Sequence, residues 1–85
     1  MITNRYDGTV IGSSSLETSV ANAEIIPTNA RIINFELLND QVCTISINDQ
    51  TPVYIRANQG VTLAVVNSCK IIQAGITFNW IGING

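Results

Sequence analysis

Between Ala30 and Ala57 the chain reads ARIINFELLNDQVCTISINDQTPVYIRA, three apolar runs parted by two clusters of turn residues. Apolar residues at alternate positions over such short runs are the mark of half-buried strands. Ile33, Phe35 and Leu37 are expected to share one face, Cys43, Ile45 and Ile47 a second, and Val53 and Ile55 a third. Asn39-Asp40 and Asn48-Asp49-Gln50 are suited to turns, because short polar side chains bond their own backbone there. The second joint is short enough to predict an antiparallel hairpin of the last two runs.

The same grammar extends along the chain. Leu16 to Ile26 predicts a strand with Val20 and Ile25-Ile26 as its apolar points, ended at Pro27 because proline cannot donate to a ladder. Asn58-Gln59-Gly60 is a turn, and Val61 to Val66 the next strand. Cys69 to Gln73 and Ile76 to Ile81 predict a final pair across Ala74-Gly75, with Ile76, Phe78 and Trp80 supplying bulk to the core. About seven short strands at this spacing, without a helical period, predict an all-β antiparallel sandwich of the jelly-roll or Ig-like kind. That domain is expected over residues 16–85. Residues 1–15 are polar and form an extended N-terminal arm, with Tyr6, Val10 and Ile11 as its anchors. The arm either adds a strand to its own sheet or lies across a neighbouring subunit.

Apolar doublets carry the functional reading. They are Ile25-Ile26, Ile32-Ile33, Leu37-Leu38, Val65-Val66 and Ile71-Ile72. Neighbours on a strand point to opposite faces, so each doublet sends one side chain away from the core that holds its partner. A two-layer sandwich covers only the inner faces of its sheets. Ile26, Ile32, Leu38, Val66 and Ile72 are therefore expected on the surface, or the complementary set if the register is shifted by one. With 46% hydrophobic and only 12% charged residues, the chain has little polar surface to spare, and an exposed apolar set reads as an interface.

Chemistry is sparse. The chain has no histidine, which removes the usual base for a serine or cysteine nucleophile and the commonest zinc ligand. Cys43 and Cys69 are too few for a structural zinc site. The opening residues lack the apolar centre of a secretory signal, and in an unsecreted chain the two thiols are expected to be buried small hydrophobes, with an oxidised pair open if they face each other. The carboxylates are scattered, and the turn residues Asp40 and Asp49 lack the dense acidic loop of a calcium site. No glycine spacing matches a phosphate loop or a dinucleotide fingerprint. The residue set thus predicts no enzyme, no cofactor and no metal. Net charge is −2 with four scattered cations, which argues against nucleic acid, and no apolar run is long enough to span a membrane. Tyr54 faces opposite to Val53 and Ile55 and is the candidate surface aromatic for an alternative, carbohydrate- or receptor-binding role.

The order IPTNARIINFELLND, CTISINDQTPVYIRANQG and IIQAGITFNWIG, covering Ile25 to Gly82, resembles small β-sandwich structural proteins of tailed bacteriophage virions. Those proteins decorate capsids or form the head-attached parts of fibres. The resemblance implies a non-enzymatic virion component, assembled in the host cytoplasm, that binds the outside of the major capsid protein, often as a trimer, and stabilises the shell. It transfers no catalytic residue. The short arm departs from longer fibre proteins, which carry a stalk or a receptor-binding tip.

Overall fold

A computed structural model describes residues 9–85, and Tyr6 lies outside them. The described chain is all-β. Its strands are β1 (Thr9–Gly12), β2 (Glu17–Thr18), β3 (Ala23–Glu24), β4 (Ile32–Asn39), β5 (Cys43–Ile47), β6 (Val53–Ile55), β7 (Val61–Val66), β8 (Cys69–Ile71) and β9 (Thr77–Asn84). β1, β9, β4 and β7 follow one another across a five-stranded sheet, in which β2 also pairs with β9; β3, β8, β5 and β6 form a four-stranded sheet. All the pairings are antiparallel.

The pairings are nested. β5 pairs with β6, β4 with β7, β3 with β8 and β2 with β9. One long antiparallel ribbon is thus rolled so that successive pairs fall in alternate sheets, which is the jelly-roll winding. The tip is a two-residue turn, with Asn48 (φ 51°) and Asp49 (φ 60°) both left-handed and the Gln50 N–H donating to the Ile47 carbonyl at 3.0 Å. Left-handed residues at both centres give a turn whose twist matches that of the flanking strands.

Rolling the ribbon makes the chain cross between sheets six times. One polar side chain joins the crossings in pairs. Asn39, 1% exposed, donates from Nδ2 to the carbonyls of Gln41 (2.8 Å) and Arg56 (2.7 Å) and accepts from the Gly60 N–H (3.1 Å). It ties β4–β5 to β6–β7. Glu24 accepts from the Ile26 N–H (3.0 Å), the Cys69 N–H (2.7 Å) and the Ser68 hydroxyl, tying β3–β4 to β7–β8. Buried Ser19 donates to the Gln73 carbonyl (2.7 Å) and accepts from the Ile76 N–H (2.9 Å), tying β2–β3 to β8–β9.

Several expectations are corrected here. Leu16–Ile26 is two short strands in different sheets, because the chain turns at Val20–Ala23 with Asn22 left-handed (φ 60°). β8 and β9 also lie in different sheets and are not a hairpin pair. Part of the arm, β1, adds a strand to its own sheet. Ile33 does not share a face with Phe35 and Leu37, which are buried. The cause is a bulge: Asn34 (φ 56°) and Phe35 stand opposite the single Gly82, so the alternation of β4 reverses between Ile33 and Glu36.

The bulge also sets the core. Ile32 and Phe35 both point inward with no exposure, and the Phe35 and Trp80 rings meet at 5.8 Å, tilted by 34°. Ile32 lies across Gly82, where a Cβ would overlap its Cγ2. Gly82→Ala is therefore expected to cost about 1–3 kcal/mol as an overpacked contact. In urea unfolding, Ile32→Ala in the same chain should recover part of that loss. Strict additivity of the two substitutions would show that the contact does not constrain residue 82.

Candidate interaction surface

β9 alternates Phe78 and Trp80 inward with Thr77, Asn79, Ile81 and Ile83 outward. β4 sends Ile33, Glu36 and Leu38 to the same outer face, and β7 sends Thr62 and Val65. The register aligns them in rows. Val10 pairs with Ile83, Ile83 with Ile33, and Ile33 with Val65, so one aliphatic row crosses all four strands. The next row is Gly12, Ile81, Glu36 and Thr62, and beyond it Leu38 pairs with Asn79. At ~4.8 Å between strands the first row is about 14 Å long. Val10 is 66%, Leu38 53% and Ile81 50% exposed. Glu36 is the only charge in these rows. A shallow groove of about 340 Å³ between Leu38, Gly60, Thr62, Asn79 and Ile81 borders the patch.

The structure sorts the residues expected at an interface. Val10 and Leu38 lie on this face, and Ile11 is partly buried against the core. Ile26, Ile32 and Val66 are buried; Ile33 and Val65 take the outward places because of the reversal at the bulge, and Ile25 is partly buried against the core. Ile72 is half-buried and follows β8 in the other sheet, so it is not part of this patch. Ile81 and Ile83 are the additions. Their signal was present in the alternation of Phe78 and Trp80, which leaves the odd positions of that strand facing out.

Tyr54 is 62% exposed and is the one exposed aromatic among the described residues. It pairs with Thr44, whose hydroxyl and N–H are already bonded to the Gln73 amide (2.9 and 2.8 Å). Many of the asparagines are spoken for by the backbone: Asn22, Asn29, Asn34, Asn48 and Asn58 sit at left-handed φ, where this side chain is favoured. Among the described residues, no group of three or more His, Cys, Asp or Glu side chains could hold a metal ion.

Both thiols are buried and free. Cys69 pairs with Ile47 across β5 and β8, and Cys43 lies four residues further along β5, about 13 Å away along the strand. That separation is too great for a disulfide without moving the backbone. Burial raises both thiols, and Cys69, whose ionisation is further disfavoured by the charge of Glu24 and then of Cys43, is pushed up to about 12. Comparison with protein families, with curated proteins and with solved structures finds no match to the chain.

The raised thiol has a signed consequence. Folding holds the Cys69 proton that the unfolded chain releases near pH 9, so this contribution is complete below pH 9 and is lost as pH rises towards about 12. Urea midpoints should fall over that window more steeply in the native sequence than in Cys69→Ala. Parallel pH profiles would mean that Cys69 ionises in the folded state as freely as in the unfolded chain.

Proposed function

We propose that this protein is a non-enzymatic structural component of a virion, a decoration protein that docks on the major capsid protein through the outer face of its five-stranded sheet. The observation that carries the reading is the aliphatic row Val10–Ile83–Ile33–Val65, extended by Ile81 and Leu38. A sheet face of this composition, almost without charge, gains free energy when water is excluded from it. Jelly rolls serve as capsid domains, and also as lectins, so the winding supports this class by analogy of fold. The sequence resemblance supplies the choice between them.

Mechanistically, the face binds by burial and needs no reaction. Repetition over a shell converts modest single contacts into firm retention. A protein that binds the assembled lattice better than free subunits stabilises the shell by linkage. The alternative, a carbohydrate- or receptor-binding module, rests on Tyr54, where one aromatic offers a single stacking plane.

The test is co-sedimentation with assembled shells and with unassembled capsid subunits. The native protein should pellet stoichiometrically with shells, and Leu38→Asp and Ile81→Asp should each weaken binding by about tenfold or more, as expected for a charge buried in an apolar contact. Tyr54→Ala should leave it unchanged. Undiminished binding by both aspartate variants would overturn the assignment of this face. Binding to cell-wall glycans that is lost with Tyr54→Ala would favour the alternative.

A further inference from the structure

A sheet edge is a row of backbone donors and acceptors, and proteins guard it with short strands, proline, bulges or inward-pointing charge. Three of the four edges here are guarded. β3 has two residues. β6 has three and follows Pro52. The β1–β2 edge is broken by Ser13–Leu16, which separates its two short strands. β7 differs: Val61-Thr62-Leu63-Ala64-Val65-Val66 is six residues long, β-rich, and free of charge, proline and glycine. It pairs with β4 on one side only.

Beneath that edge the sandwich is open. A cleft of about 490 Å³ runs between β6 and β7, lined by Ile47, Val53, Ile55, Val61 and Leu63, with no charged residue on its walls. Val53 is 58% exposed there although it faces the same way as buried Ile55. The cleft has the form left by a sheet that ends one strand short.

We propose that β7 is a self-pairing edge: two copies of the chain join β7 to β7, antiparallel about a two-fold axis, continuing the five-stranded sheet from one subunit into the next. The choice of a second copy follows from the guards. An isologous contact uses the same patch from both subunits, so both contributed edges are unguarded, whereas a head-to-tail contact would have to use a guarded one. An uncharged strand also meets its own copy without repulsion. Inward side chains of the incoming strand would enter the cleft against Val53 and Ile55. Asn48 donates to the Val65 carbonyl at 3.3 Å, so the pairing is centred on Val61–Ala64. The product is a two-fold pair, in place of the trimer that the resemblance implies.

The pairing does not depend on the capsid reading, and its test is separate. Light scattering across dilution is combined with amide hydrogen exchange at both ends of the series. The mass should double with concentration, and amides within Val61–Ala64 should gain protection in step, by about tenfold or more as edge groups become bonded. Leu63→Lys, an inward charge of the kind that guards natural edges, should abolish the doubling, whereas Ile81→Asp should leave it intact. A single-chain mass at every concentration would overturn the proposal, as would doubling with unchanged exchange in β7. If Leu63→Lys fails to fold, the exchange series on the native protein decides alone.

Discussion

A two-stranded ribbon can be rolled into two sheets only if the backbone groups exposed at each crossing find partners. In 85 residues there is little core to offset a failure, because a small domain buries a smaller share of its surface than a large one. Asn39, Glu24 and Ser19 meet this constraint, each closing two crossings at once. Each unites segments distant in sequence that the nested pairing brings together. An unpaired buried polar group costs about 1–3 kcal/mol, so one side chain that satisfies several backbone groups carries more weight than its own size suggests. With no disulfide between Cys43 and Cys69, these corners do the stapling by hydrogen bonds.

The bulge at Asn34 then decides what the outside looks like. In a regular strand Ile32 and Phe35 would face opposite ways; with one extra residue set against Gly82 both enter the core. Ile33 is left on the outer face, level with Ile83 and Val65. Packing and the exposed patch are therefore two results of one backbone irregularity. A glycine is required opposite it because the Ile32 side chain occupies the space of a Cβ.

The six strands from Ile32 onward were legible in the sequence, along with the Asn48-Asp49 turn and the inward set of Phe78 and Trp80, because each depends on residues within a few positions of one another; the two-residue strands Glu17–Thr18 and Ala23–Glu24 were not, since neither carries an alternation of its own. Each apolar doublet splits into a more buried and a more exposed member, although Ile25 still packs against the core. Which member is which was legible for Leu37-Leu38 and Ile71-Ile72 but not for Ile32-Ile33 and Val65-Val66, where it depends on a register shift at Asn34 that only the partner strand reveals. Asn34 does hint at it, as asparagine tolerates left-handed φ, but asparagine in a turn gives the same signal. The division of strands between sheets was hidden for a similar reason. Ser19 looks like any loop serine until residues 73–76 are placed beside it.

Face and edge are geometrically independent. The outer face points along the normal of the five-stranded sheet, whereas the free side of β7 lies in its plane. A two-fold axis that continues the sheet stands perpendicular to it, so it leaves both outer faces on the same side. Two copies joined through β7 would present a doubled apolar surface facing one way. A divalent binder of that shape gains effective concentration for its second contact without any new residue. On the two proposals together, the low charge of this chain would have one physical account: the uncharged surfaces would be those where one copy meets another and where the pair meets its support.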